Sequence, residues 1–433
     1  MSELPSGPRR LLLVSRELPP AIGPHPIRVA KLAKYLPEFG WQPTILTVPV
    51  DHAWATDETL SDDLECVDVV RVPRLLSRIA PPTTGQQRDA VRDPRQHVTR
   101  GRVRTKLAQR LLLPDRDILW APPAARCGRR LADQSDAVMT TAPPFSTHLV
   151  GYWLSLRHHM PWVAEYRDNW SMNPLYRRGS LGQLANGATE ARFLARADAI
   201  VTVSEAAAAE VSDSFPSTVG KLYVAANGFD PDDLPTTAER PEFFEIAYAG
   251  TLDERRDPRP FLDALRRLTL SAPGFPEALR LRLMGNVPGW VSNAAFAAVG
   301  QERVSVDGLL PHREALMRAS RAAVLLGITS RAEAGGAGLT SKLFEYLGLR
   351  RPVLMLAPPG PGRSLVEDLQ AGQTADPADV EAIGVAVVRL YDDWQRGRER
   401  TAPEDKLESL TRRMTAIRLS AALDAALTRH AVK

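Results

Sequence analysis

GGAGLTSKLFEYLGLRRPVLML, residues 335–356, is the stretch whose reading decides the fold. Gly335, Gly336 and Gly338 make a turn. Residues 339–349 follow with apolar side chains at helical spacing, and 353–356 is a short apolar run of strand character. A turn, a helix and a wholly apolar strand in that order are a piece of a parallel sheet covered on both faces. The first-turn N–H groups of such a helix, at Leu339, Thr340 and Ser341, suit an anion and a diphosphate in particular. Lys342 adds positive charge there, and Glu345, one turn on, can meet sugar or ribose hydroxyls. The competing reading is a glycine-rich surface turn before a well-formed helix.

The same rhythm extends outward. Runs at 245–249, 281–284, 303–306 and 322–326 read as strands, with a helix from about 258 to 268. In AYAGTLDERRDP, 247–258, a strand ends at Gly250, and Thr251, Arg255 and Arg256 follow. Glycine permits close backbone approach and an arginine can clamp a phosphate. The alternative is a solvated charged loop. Further back lie strand-like runs at 10–15, 43–48, 66–72, 136–140, 162–166, 199–203 and 221–226, with helical stretches at 27–39, 146–157 and 205–215. Between the two series, Pro231, Pro235 and Pro241 mark a linker. The expected architecture is α/β, with two facing Rossmann-like parallel-sheet domains at 1–235 and 236–402. A helix in 403–433 packs back on the first domain. Ligands of such sheets bind outside the carboxyl ends of the strands.

Two further strand ends carry candidate residues. In PWVAEYRDNW, 161–170, Arg167 and Asp168 directly follow a strand, where a carboxylate can orient a hydroxyl or handle a proton. An Arg–Asp pair capping the sheet is the alternative. In TAPPFSTHLVG, 141–151, Ser146 reads as a helix N-cap. His148 then sits in the first turn, either reaching a ligand or packed on the helix face.

Composition narrows the class. The 433 residues suit two to three domains, and 44% hydrophobic with 24% charged residues is ordinary for a globular chain. Mean hydropathy is −0.21, and no run of about 18 apolar residues offers a spanning helix. The apolar run after the first ten residues is too short for a signal sequence. Cys66 and Cys127 stand far apart, which excludes a disulfide framework or a zinc ribbon and favours a cytoplasmic chain. The net charge of +4 is local in origin. Residues 74–130 hold thirteen arginines and Lys106 against four aspartates, a surplus of ten, so the rest of the chain is net acidic. Within that insert, RGRVRTKLAQRLLL (100–113) reads as a basic amphipathic helix. It suits an anionic bilayer, an acidic substrate or simply solvent.

No G-x-G-x-x-G follows the first strand, where the chain reads RELPPAIGPHP (16–26), which speaks against a nicotinamide enzyme. Walker A, H-E-x-x-H and G-x-S-x-G patterns are absent too, and nothing resembles a base-reading module. The order and spacing of LPEFGWQPTILTV (36–48), PPFSTHLVG (143–151), PWVAEYRDNW (161–170), ADAIVTVSE (197–205), NGFD (227–230), AYAG (247–250) and KLFEYLGLRRPVL (342–354) do match a known group. Over nearly its whole length the chain resembles the GT-B glycosyltransferases of the family-four type, which use nucleotide sugars with retention.

The resemblance implies specific roles. Gly250 and Thr251 line the donor site, and Arg256 lies on its diphosphate, with Lys342 beside it. Gly338, Leu339 and Thr340 offer backbone amides, Glu345 holds the ribose, and Gly308 and Leu309 border the base. Arg167 and Asp168 face the transferred sugar and the acceptor. Gly23 and His148 are the acceptor-side candidates, although the N-terminal loop lacks the family's paired glycines and has only Gly23 between prolines. The donor is a nucleotide diphosphate-sugar, UDP-linked by this reading. The acceptor is a glycan, a lipid-linked glycan or a small natural product. No metal is expected if arginine and amides take the leaving-group charge, and the two domains close by a hinge. One departure stands out. The family often pairs Glu345 with a second glutamate eight positions earlier, where this chain has Ala337; Glu333 lies four residues before that. The rival readings are a sugar-nucleotide epimerase of the same fold and a non-catalytic binding homologue.

Overall fold

The computed structural model describes residues 7–50, 55–75, 113–173, 180–235, 240–329 and 339–433. Its chain forms two compact units, Met1–Ala226 with Thr415–Lys433, and Asn227–Met414.

The first unit is a seven-stranded, all-parallel sheet. Its strands are β1 (Arg9–Val14), β2 (Trp41–Thr47), β3 (Asp68–Arg71), β4 (Ala137–Ala142), β5 (Trp162–Tyr166), β6 (Ala199–Thr202) and β7 (Leu222–Val224), in the order β3-β2-β1-β4-β5-β6-β7. Leu11, Leu12, Leu13 and Val14 are fully buried, alternately on the two faces of β1. Covering both faces explains the unbroken apolar run, and each such side chain contributes about 1.5–3 kcal/mol by leaving water. One face carries α1 (Pro24–Tyr35). The other carries α2 (Ala121–Ala132) and α3 (Ser146–His158), with Trp120, Trp162 and Trp170 in the core between them and the sheet. Two further helices, α4 (Ser180–Arg196) and α5 (Glu205–Ser214), link β5 to β6 and β6 to β7.

Ser146 does not cap α3. Phe145 holds the N-cap position, and Ser146 instead donates its N–H and its hydroxyl to Asp115, at 2.9 and 2.5 Å. A carboxylate from thirty-one residues earlier thus does the capping, a contact that local spacing cannot reveal. Burial and neighbouring Asp117 push the Asp115 carboxyl up to about 6, with the bonds from Ser146 opposing them.

The second unit is a six-stranded parallel sheet. It runs β8 (Phe244–Thr251), β9 (Leu279–Asn286), β10 (Val304–Gly308), β11 (Val324–Ile328), β12 (Val353–Leu356) and β13 (Gly372–Ala375), in the order β10-β9-β8-β11-β12-β13. The edge strand β13 was not expected, because GQTA has neither an apolar run nor alternation. Its helices are α6 (Arg259–Ser271), α7 (Gly289–Val299), α8 (His312–Ala319), α9 (Ser341–Gly348), α10 (Pro361–Asp368) and α11 (Val380–Gln395), beside several short helical turns.

The final helix, α12 (Arg412–Ala431), spans the division between the units. From Ala416 to Ala426 its small and leucine side chains join Leu11, Leu13, Val29 and Trp41 in the first unit's core. The Trp41 indole donates to Asp424 at 2.9 Å. The chain passes between units after Ala226, earlier than the proline-rich stretch expected to mark the boundary. The cause is local: Phe229 bridges to Thr411 and packs against Gly348, so the NGFD turn already belongs to the second unit.

Candidate active site

The second unit gathers the donor-side candidates at the carboxyl end of β8. Gly250 and Thr251 are its last two residues. A Cβ placed on Gly250 would lie 2.8 Å from the Tyr248 hydroxyl and 3.2 Å from Lys342 Cε, so the missing side chain is what lets the Lys342 stem lie across the strand end. Two bonds fix the neighbourhood. The Tyr248 hydroxyl donates to Thr251 O at 2.9 Å, and the Ala249 N–H donates to the Tyr346 hydroxyl at 3.0 Å. The second bond ties α9 to β8. It follows that Lys342, on that helix, is held beside Gly250, and Glu345, on the same helix, lies within the field of Lys342.

Thr340 occupies the N-cap of α9 with extended backbone, and its side chain makes no capping bond. Leu339 precedes it. Gly338, with Ala337 and Glu333, lies outside the described residues. Arg256 stands in the loop after β8, where its N–H donates to Asp253 Oδ1 at 2.9 Å and turns the chain. Arg255 is spent on an exposed pair with Asp253 at 2.9 Å. Burial of its ammonium end lowers the Lys342 pKa, Glu345 favours the charge, and Arg256 opposes it. Two cations held within each other's field are an arrangement that an anion relieves. Gly308 closes β10 with φ +70°, a left-handed turn suited to glycine, and leaves Leu309 52% exposed.

Glu345 is the most constrained of these groups. Its Oε1 accepts from His312 Nε2 at 3.0 Å, and His312 Nδ1 lies 3.9 Å from Asp233 Oδ2. Burial raises the Glu345 carboxyl, but His312, its hydrogen bond, Lys342 and Arg412 outweigh burial and hold it at about 2. Glu345 is therefore a carboxylate throughout the ordinary pH range, and the His312 ring donates to it. Neither His312 nor Asp233 was expected from the sequence. They stand 33 and 112 residues before Glu345, and no motif joins the three.

The first unit treats its candidates differently. Arg167 is 7% exposed and donates from Nε to Ala142 O at 3.2 Å and from Nη2 to Pro143 O. It braces the end of β4 through backbone carbonyls, while Nη1 is buried without a hydrogen bond. Asp168 is half-buried beside it. Gly23 takes φ +152° ahead of Pro24 and opens α1. His148 is corrected. It is fully buried beneath Phe145, Trp162, Tyr166 and Phe193, its Nδ1 2.7 Å from Thr140 Oγ1, which also accepts from the Trp162 indole at 2.9 Å. Burial first, then Arg167, lowers its pKa to about 3. It is a neutral core histidine that meets no acceptor. The helix-face periodicity of α3 turns it inward. Among the described residues no cluster of three or more His, Cys, Asp or Glu side chains could hold a metal ion.

The model of the family Glycosyltransferase Family 4 matches residues 27–233. Glycogen synthase of Mycobacterium tuberculosis is 26% identical over 216 residues, 48% of this chain and 48% of its own length. The chain thus spans about half the length of the curated relatives it matches. Among solved structures, Anabaena Alr3699/HepE in complex with UDP and glucose is similar with TM-score 0.64 and 14% identity, covering 96% of this chain and 99% of that one. Sucrose-phosphate synthase from Thermosynechococcus elongatus is similar with TM-score 0.63 and 16% identity, covering 96% and 98%. At such identities the likeness fixes the fold, which is GT-B. By its two parallel sheets the chain has the GT-B fold, and its residues 27–233 are similar to Glycosyltransferase Family 4.

Proposed function

We propose that the chain transfers a sugar from a UDP-sugar to a hydroxyl of a glycan, a lipid-linked glycan or a small natural product, with retention at the anomeric carbon. The observation that carries this reading is the convergence of Gly250, Lys342 and Glu345, with Arg256 within the field of Lys342, at one strand end of the second unit. Arg256, Lys342 and the first-turn amides of α9 bind the diphosphate and stabilise the charge that grows on it as the glycosidic bond breaks. Those groups take the leaving-group charge without a metal. Glu345 accepts hydrogen bonds from the ribose hydroxyls, with Gly308 and Leu309 at the base. Asp168 orients the acceptor hydroxyl, and Arg167, its neighbour after β5, ties that strand end to the end of β4. Retention rests on the resemblance to family-four enzymes.

A screen of purified protein against common nucleotide sugars tests the proposal. Saturable binding and turnover of a UDP-sugar are expected, and product analysis separates transfer from epimerisation. Neither binding nor hydrolysis for any donor sinks it.

The proposed setting is the cytoplasm, in peripheral contact with an anionic bilayer. No helix among the described residues is long and apolar enough to cross a membrane. The basic stretch expected to meet lipid falls at 100–112 outside the described residues. Supporting the contact instead are α2 and α3, packed on one sheet face. They contain no acidic residue and expose Arg126, Arg129, Arg130 and Arg157 beside Trp153 and Leu156, 37% and 46% exposed. Arginines with an exposed tryptophan suit a charged headgroup layer. Co-sedimentation with phosphatidylglycerol vesicles is expected, with little binding to phosphatidylcholine and a loss on Trp153→Ser with Leu156→Ser. Equal recovery of both proteins with both lipids counts against the contact.

A further inference from the structure

We propose that His312 is a positioning residue of the donor site, bridging Asp233 and Glu345 so that Glu345 presents its second carboxylate oxygen to the ribose hydroxyls. The inference rests on the donor role given to Glu345 above and adds a residue to it.

Three elements meet at this ring. Asp233 ends the single 3-10 turn Pro231–Asp233, His312 opens α8, and Glu345 sits in the middle of α9. All three side chains are largely buried, 5%, 12% and 12% exposed. His312 Nε2 donates to Oε1 of Glu345 at 3.0 Å, while its Nδ1 faces Oδ2 of Asp233 at 3.9 Å. Oε1 is therefore engaged, and Oε2 is left for a ligand. An unsupported glutamate samples several rotamers and gives up that freedom on binding a ligand. One hydrogen-bonded to a buried ring, whose other nitrogen faces the Asp233 carboxylate at ion-pair distance without a hydrogen bond, has given up much of it already, which is how a supporting shell raises affinity.

The charges around the ring set its protonation. Glu345, Asp233 and Lys342 face His312, and Arg313 lies 3.6 Å from Asp233 Oδ1. Burial lowers the His312 pKa, but Glu345, its hydrogen bond and Asp233 together raise it above its ordinary value, with Lys342 opposing them. The sign follows. Stability and alignment owed to the charged ring are complete below about pH 6.5 and fade as pH rises through the raised value.

The test is UDP binding by calorimetry, with 2′-deoxy-UDP as the partner probe, for wild type, His312→Gln and His312→Leu. Wild type is expected to bind UDP at least about tenfold more tightly than the deoxy analogue. The leucine variant should lose most of that preference while binding 2′-deoxy-UDP much as wild type does. The glutamine variant, which keeps an N–H donor, should retain part of the preference and lose the alkaline decline of wild type. Equal loss for both nucleotides in the leucine variant, or a preference that survives unchanged, overturns the positioning role. If wild type binds UDP without discriminating the analogue, the ribose role of Glu345 fails instead. If it binds neither nucleotide, the UDP-sugar reading falls and takes this one with it. The glutamine variant covers the case in which the leucine variant fails to fold.

Discussion

Arg256→Ala is expected to cut sugar transfer by roughly 10²–10³-fold in kcat, about 2.7–4 kcal/mol of lost leaving-group stabilisation. The physical reason is that the departing diphosphate gains charge as the glycosidic bond lengthens. A fixed guanidinium beside Lys342 meets that charge without reorganising. Substrate affinity should change less than kcat, because the interaction strengthens toward the transition state. The melting temperature should stay within a few degrees of wild type, since Arg256 lies in a loop and is only half-buried. Initial rates with the preferred donor, beside a thermal melt, check both halves. A stable variant with unimpaired kcat removes Arg256 from the site.

Glu165→Ala should damage the first unit rather than the chemistry. Glu165 Oε1 receives Arg28 Nη2 at 2.7 Å and Nε at 3.0 Å, and Oε2 receives the Thr141 hydroxyl. Arg28 also donates to Ala225 O at 2.8 Å, and the two side chains are 2% and 0% exposed. Deleting the carboxylate strands a buried guanidinium, a loss of about 3–5 kcal/mol. For a unit of this size that lowers its melting transition by roughly 6–20 °C. Replacing both partners, Arg28→Met with Glu165→Leu, should cost less than the single change, because no charge is then left behind. The pH dependence points the same way. Burial raises the Glu165 carboxyl, but Arg28, Thr141 and Arg167 outweigh it and hold it low. This contribution is complete above the unfolded value of about 4.3 and is lost as pH falls below it. Differential scanning calorimetry of the two variants decides. A single mutant as stable as wild type means the pair contributes nothing.

Strands buried on both faces declared themselves: β5 runs Trp162–Tyr166 and β12 runs Val353–Leu356, the very runs that apolar content marked. The edge strand β13 did not, because at a sheet edge pairing asks little of side chains. Candidates that follow a strand end, such as Gly250, Lys342 and Glu345, could be ordered along the chain by the rule for open sheets, and the structure brings them together. Side-chain direction escaped that rule. Spacing placed His148 in a first turn but could not say that the helix turns it toward Trp162. Pairings across long separations were equally hidden. Nothing in the run around Arg28 announces a partner 137 residues on, and His312 reads as one more polar residue after a proline.

The position of α12 bears on how the molecule is made. The second unit is inserted into the first along the chain, since the first unit takes its last helix from Thr415 onward. A ribosome therefore releases all of 227–414 before the segment that covers Leu11 and Leu13 exists. Until then the part of that sheet face which α1 does not cover is greasy and open, the condition under which nascent chains engage chaperones or clump. The later-numbered unit can finish folding while the earlier one waits, reversing the usual N-to-C order of domain completion.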